Sequence, residues 1–383
     1  MRRTVIFLTG TRADLGKLKP LMRKVECSPD FDCLIFATGM HTLPRYGLTV
    51  NEIYKEKFSN VYSHINQDGL MNGRMDLVLA NTVQGLGNFV REFQPDLLVV
   101  HGDRVEALAG ATVGALNNIL TAHVEGGELS GTVDELIRHA VTKLSHVHFV
   151  SNETSRRRII QLGERPSSVF IIGSPDIDIM LSEDLPELEQ VRRKYDISLD
   201  EYCILLYHPV STELDTMAYN VDELFAAVHQ SSRRFVVIYP NNDPGAQHIL
   251  DAIRELPEGP RFRVIPSMRF EFFLTLLKNA QAIVGNSSAG IHEAPVYGVP
   301  TINIGSRQHN RWRHESIVST GEGREEILRA LEELPPKFSP SLEFGKGNSA
   351  ELFLQRLQGE EMWKISRQKQ FRDLPDWNDG GSK

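Results

Sequence analysis

The sequence predicts an α/β protein made of two Rossmann-like domains that face each other across a cleft. Short apolar runs without polar alternation recur along the chain, as strands of a parallel sheet buried on both faces should read. Each is followed by a stretch with helical periodicity, the βα cycle of a doubly wound sheet. The cycle breaks once, in an acidic and polar stretch around residues 181–200, and then restarts, which makes two units rather than one.

In the first unit the strand candidates are residues 4–9 (TVIFLT), 32–37 (DCLIFA), 96–101 (DLLVVH), 119–124 (ILTAHV), 146–150 (HVHFV) and 168–172 (SVFII), with helices at 75–93 and 105–118. In the second they are residues 202–207 (YCILLY), 234–239 (RFVVIY), 261–265 (RFRVI), 281–285 (QAIVG) and 299–304 (VPTINI). The expected domains are 1–178 and 179–359, followed by 360–383, whose last residues, 373–383, read as a frayed tail. In open parallel sheets ligands bind beyond the carboxyl ends of the strands, so the site is expected in the cleft between the units.

Composition narrows the function. A chain of 383 residues with 41% hydrophobic and 24% charged residues is ordinary for a globular enzyme. The net charge of −8 argues against a nucleic-acid binder, so an anionic ligand needs a local arginine cluster. Cys27, Cys33 and Cys203 make neither a disulfide framework nor a zinc pattern. The N-terminal apolar run, about six residues leading straight into Gly-Thr-Arg, is too short for a signal peptide, and nothing approaches the ~18 apolar residues of a membrane helix, which makes a cytoplasmic enzyme the expectation.

The strand ends carry the chemistry. After the first strand, GTRADLGK (10–17) offers Arg12 for phosphate or carboxylate, with Asp14 as a helix cap. In HGDR (101–104), Asp103 is either a base or the cap of the next helix. Glu125 ends a strand in HVEGGELSGTVDELIRHA (123–140); half-buried there, it is expected to have a raised pKa suited to moving protons near neutrality. Asp134 opens the helix 134–144, where an i,i+4 pair with Arg138 is the alternative to a catalytic role. Glu128 and Glu135 read as solvated charges. In the second unit His208 follows a strand in YHPVSTEL, and YPNNDPG (239–245) is the corresponding loop on the next strand. IVGNSSAGIHEAPVYGVPTINIGSRQ (283–308) is read as a strand, then a helix opened by Ser287 and Ser288 whose N–H groups make an anion site, with Glu293 on the same helix placed for ribose hydroxyls.

With these pieces together, the chain resembles the UDP-N-acetylglucosamine 2-epimerases from residue 4 to about 360, and most closely their hydrolysing branch. The matching text is TGTRADLGKLKPLM, GMHTLPRYG, HGDRVEALA, HVEGGELSGTVDELIRHAVTKLSHVHFV, YHPVSTE, YPNNDPG and GNSSAGIHEAPVYGVPTINIGSRQ. The resemblance implies a glycosyltransferase-B-type fold whose C-terminal helix, at 360–371 here, crosses back to the first domain. It also implies a reaction: UDP leaves, the C2 proton is lost, and a 2-acetamidoglucal forms. Water then adds and C2 is reprotonated on the opposite face, giving N-acetylmannosamine for sialic acid and capsule polysaccharide synthesis.

Residue by residue, the resemblance implies Asp103, Glu125 and Asp134 as acid/base groups on the sugar, Glu125 being favoured for C2 with Asp103 close behind, and His208 as a further catalytic residue near the phosphates and sugar. Arg12, Lys17, His41, Arg104, Asn241, Ser287, Ser288, Gly290, Glu293 and Arg307 are the implied substrate and nucleotide contacts. Some relatives have serine at the position of Gly16 and lysine at that of Gln247. No cofactor or metal is implied, and a homodimer or homotetramer is expected. The rival substrate is a nucleotide-linked 2,4-diacetamido-2,4,6-trideoxyglucose on the way to legionaminic acid. Rival functions are a retaining glycosyltransferase and a non-catalytic nucleotide-sugar sensor.

Overall fold

A computed structural model describes residues 2–67, 74–130, 133–241 and 243–373, so most of the 373–383 tail lies outside the described residues. The first sheet has seven parallel strands: β1 (Arg3–Thr9), β2 (Phe31–Ala37), β3 (Val61–Ser63), β4 (Leu97–His101), β5 (Leu120–Val124), β6 (Val147–Val150) and β7 (Val169–Ile171). Their spatial order is 3-2-1-4-5-6-7. The second sheet has six: β8 (Cys203–Leu206), β9 (Phe235–Ile238), β10 (Phe262–Ile265), β11 (Ala282–Gly285), β12 (Thr301–Ile304) and β13 (Ile317–Thr320), in the order 10-9-8-11-12-13.

Core packing explains why the strands read as continuous apolar runs. In β1, Val5 and Phe7 join the core on one face of the sheet while Ile6 and Leu8 join the core on the other. In β8, Ile204 and Leu206 fall in one core and Cys203 and Leu205 in another. A strand covered by helices on both faces has no polar side to display. The sequence reading missed β3 and β13, and the reason is physical. Both are short edge strands with half-exposed or exposed residues, so neither needs an apolar run.

The return of the chain to the first sheet differs from the expected helix at 360–371. The helix Ser349–Gln358 makes it instead, followed by one turn at Glu360–Trp363. Ala350, Phe353, Leu357 and Met362 complete the core beneath β1, and Phe353 packs on Phe7 and Phe149 with ring centroids 6.2 and 4.7 Å apart. That apolar spacing, rather than the charged text after 363, fixes where the helix lies. Among the described residues no helix is long and apolar enough to cross a membrane.

Strand order reverses between β1 and β4 in the first sheet and between β8 and β11 in the second. Such switch points leave crevices at the strand ends. Thr9–Gly10 and His101–Asp103 flank the first crevice; Tyr207–His208 and Asn286–Ser287 flank the second. Gly285 makes the second possible: its φ is +132°, and a Cβ there would stand 2.1 Å from the Leu206 carbonyl oxygen.

Candidate active site

The cleft holds two adjoining chambers. One, of about 160 Å³, is lined by ionisable groups that include Asp14, Lys17, His101, Asp103, Glu125 and Asp134 from the first half. The second half contributes His292, Arg307 and Arg311 to it. The other chamber, of about 250 Å³, is walled by Ile238, Tyr239, Met268, Phe270 and Phe273, with Ser287, Ser288 and Glu293 at its side.

Glu125 sits at the end of β5 with φ +64°, a left-handed conformation that costs a non-glycine residue ~1–2 kcal/mol. Its N–H donates to the Phe149 carbonyl at 3.0 Å, and its own carbonyl accepts from the Arg138 guanidinium. These bonds hold the turn that drives the carboxylate into the cleft. Both carboxylate oxygens are occupied: Oε1 receives Lys17 Nζ at 3.0 Å and Ser174 Oγ at 2.9 Å, and Oε2 lies 3.1 Å from His101 Nε2. The expected raised pKa is therefore corrected. Burial alone would push Glu125 up, but the Lys17 and His101 charges outweigh it and hold the carboxyl well below its ordinary value.

His101 also reaches Asp14, with Nδ1 2.8 Å from Oδ1. Asp14 is not the helix cap. Thr11 caps the helix Arg12–Glu26, while Asp14 Oδ2 accepts the Gly10 N–H at 2.9 Å. Against the penalty of burial, Glu125 and Asp14 push the His101 ring up to about 9. Lys17 lies 3.6 Å from both Asp176 and Glu293, so a buried chain of charge runs Asp14–His101–Glu125–Lys17 and ends on those two carboxylates. Glu293 is the one pushed up, to about 7, by burial and by Asp176 and Glu125.

The remaining acids are sorted by arginines. Asp103 does not cap the helix Val105–Leu116, whose N-cap is Arg104; it pairs with Arg138 instead. Despite burial, the arginines Arg138, Arg311 and Arg307 keep it below the ordinary carboxylate range. Arg138 pairs with Asp103 rather than with Asp134 one turn before it, and Asp134 faces Arg307 at 3.4 Å across the cleft. Burial and the charge of Asp103 push Asp134 upward. Glu128 corrects the solvated reading: it is buried and accepts Ser151 Oγ at 2.5 Å and Ser155 Oγ at 2.9 Å. Glu135 is half-buried and accepts the Ser130 N–H at 3.1 Å.

The nucleotide-side candidates separate into linings and supports. His208 donates its N–H to Asn286 Oδ1 at 2.7 Å and accepts Asn286 Nδ2 on its carbonyl at 2.8 Å, tying the ends of β8 and β11 together. Its Nδ1 accepts the Asn241 N–H at 3.0 Å, and burial beside Arg307 and Arg104 keeps the ring neutral. Arg104 lines the charged chamber 3.5 Å from Asp243. Arg12 lines the apolar chamber, where its fork is already held by Glu52 at 2.7 and 3.0 Å and it contacts Ser267 across the cleft. His41 lines neither chamber; it is buried behind them between Thr9 and Thr49.

The anion-binding helix expected at 287 is not a helix of useful length. Ser287 caps a single 3-10 turn, Ser288–Gly290, and Glu293 precedes a second, Ala294–Tyr297. Pro295 and the close packing of Gly290, where a Cβ would stand 2.5 Å from Thr301 Cγ2, account for the tight turns. Gly290 is thus a packing position. Gln247 turns to Asp251 at 2.8 Å on an exposed helix face, away from both chambers. Sequence reasoning missed His101, Asp176, His292 and Arg311 as site residues. Only His101 carried a signal, as the last residue of a buried strand before Gly-Asp.

A family profile described as UDP-N-acetylglucosamine 2-epimerase matches residues 23–358. A protein of Neisseria meningitidis serogroup B named UDP-N-acetylglucosamine 2-epimerase is 44% identical over 375 residues, 97% of this chain and 99% of that one. A Legionella pneumophila protein named UDP-N,N'-diacetylbacillosamine 2-epimerase (hydrolyzing) is 34% identical over 362 residues, covering 93% and 96%. Among solved structures, Methanocaldococcus jannaschii UDP-GlcNAc 2-epimerase in complex with UDP-GlcNAc and UDP superposes with a TM-score of 0.77 at 23% identity, covering 93% of this chain and 99% of that one.

Proposed function

The chain belongs to the UDP-N-acetylglucosamine 2-epimerase family, and from that premise we propose that it is a hydrolysing member that converts UDP-N-acetylglucosamine and water to N-acetylmannosamine and UDP. The observation that carries the reading is the charged chamber. Three carboxylates on three different elements, Asp103, Glu125 and Asp134, meet there opposite Arg307 and Arg311. An unactivated C2–H is a very weak acid. Its removal has to be coupled to departure of the diphosphate, which calls for carboxylates on the sugar and guanidinium or N–H donors on the phosphates.

The environments divide the carboxylates by role. Asp134, pushed upward, is suited to take a proton, and Asp103, paired with Arg138, to stand by as an ionised partner. Among the described residues Arg311 hydrogen-bonds to Ser130 at 3.3 Å and His292 at 3.5 Å, and its charge is offered to the diphosphate. The nucleoside then falls in the apolar chamber with its ribose toward Glu293. The hydrolysing relative and the GGELSGTVDELIRHA text support release of free sugar.

Incubation with UDP-N-acetylglucosamine in D2O, followed by NMR, tests this. Free N-acetylmannosamine carrying deuterium at C2 is the expected product. UDP-N-acetylmannosamine without free sugar overturns the hydrolysing assignment, and release of UDP without exchange at C2 overturns epimerisation. Turnover of the 2,4-diacetamido-trideoxy sugar alone reassigns the substrate.

A further inference from the structure

Glu125 presents a problem for the proposed reaction. Its Oε1 already accepts from Lys17 and Ser174 and its Oε2 lies beside the His101 ring, so it is ionised at rest and must be given a proton before it can deliver one. A donor is nonetheless in reach, because His101 Nε2 stands 3.1 Å from Oε2, although the two are not aligned for a hydrogen bond. His101 is 8% exposed on its side chain, lies at the end of β4, and touches carboxylates on both sides: Asp14 at 2.8 Å and Glu125 at 3.1 Å. Asp14 is itself fixed by the Gly10 N–H. A ring with an acidic partner at each nitrogen is stable only when both nitrogens carry protons.

We propose that His101, clamped between Asp14 and Glu125, is the positioning residue that stores the proton which Glu125 delivers to C2 of the glucal intermediate. This rests on the epimerase reading above. A small turn of the ring aligns Nε2 with Oε2 and its proton passes to Glu125, leaving a neutral ring whose Nδ1–H stays on the Asp14 side. Glu125 gives that proton to C2, where the C1=C2 electron pair forms the new C–H bond. The oxygen of water bonds to C1 and its proton leaves to the ionised carboxylate of Asp103. Glu125 is returned as a carboxylate, and the ring recovers its proton from water. The other charges facing the ring are Lys17 on the helix Arg12–Glu26, Asp103 on its own loop, and Arg138 on the helix Val133–Leu144. Asp176 and Glu293 lie beyond Lys17. Burial opposes the ring's charge, and Glu125 and Asp14 are the groups that raise it. The pairing assigns the two halves of the reaction to different groups: Asp134 for removal, Glu125 with His101 for return.

Two measurements test this, and they fail separately from the reading it rests on. In the ligand-free enzyme, NMR titration of the His101 ring should find it protonated through pH 8, and Asp14→Asn or Glu125→Gln should each lower its midpoint. A ring neutral at pH 7 overturns the proposal whether or not the enzyme turns over. In the assay, His101→Gln should release UDP while 2-acetamidoglucal accumulates and N-acetylmannosamine formation falls at least about tenfold, the scale of a lost proton donor. Asp14→Asn, which keeps the ring, should give the same partition in milder form. If UDP release and sugar formation fall together with no glucal in both variants, His101 has only a structural role and the proposal fails.

Discussion

The two chambers share Thr11, Ala13, Lys17, Asn241, Ser288 and Arg307, yet they are made of opposite materials. The charged one gathers acids, arginines and histidines whose protonation states are set by one another. The apolar one is walled by Phe270, Phe273, Met268 and Ile238, which titrate nothing and offer shape. Lys17 stands at the junction, 3.0 Å from Glu125 on one side and 3.6 Å from Glu293 on the other. The contrast assigns them different work. Groups that change charge between ground state and transition state act on kcat, and groups that hold substrate equally throughout act on KM.

Steady-state kinetics of variants can break that division. Asp103→Asn, Glu125→Gln and Asp134→Asn should each lower kcat by on the order of 10²–10⁴-fold with little change in KM. A carboxylate whose loss moves KM alone does not belong to the chemistry. Lys17→Met should act through the protein itself. It leaves Glu125, Asp176 and Glu293 buried without their cation, so urea denaturation should show a loss of ~3–5 kcal/mol.

In the apolar chamber, Gly16→Ser should raise KM roughly tenfold while kcat holds. A Cβ at Gly16 would stand 2.5 Å from the Phe270 ring, so the wall must shift, and relatives with serine there need a different wall. Ser287→Ala and Glu293→Ala should behave alike, with smaller effects. An unchanged KM in all three would place the nucleoside elsewhere.

A further test is in pH dependence. Glu293 has a folded pKa of about 7, above the 4.5 of the free side chain, so the folded state keeps a proton that the unfolded chain loses between those values. Its contribution to stability is full below about pH 4.5 and is lost as pH rises through 7. Glu293→Gln keeps the neutral form at every pH. Thermal melts should therefore show it gaining on the parent protein between pH 5 and 8, and a difference that stays constant would mean that Glu293 is ionised throughout.

The sequence alone determined the fold class, most of the strands, and the strand ends at which Asp103, Glu125, His208 and Asn286 stand. Those are local matters: burial on both faces forces apolar runs, and chemistry on a parallel sheet collects where the runs stop. Edge strands β3 and β13 escaped because nothing covers both their faces. Partner choice belonged to the tertiary structure. Arg138 lies four residues from Asp134 but pairs with Asp103, and Asp134 finds Arg307, 173 positions away. Glu128 reads as solvated and is buried under two serines, while Glu125 reads as a half-buried acid with a raised pKa and is ringed by Lys17, His101 and Ser174, which hold it low. A pKa depends on burial and on charges within a few ångströms, and neither is written in the order of residues along the chain. Only the closing of one sheet's switch point against the other brought those charges together.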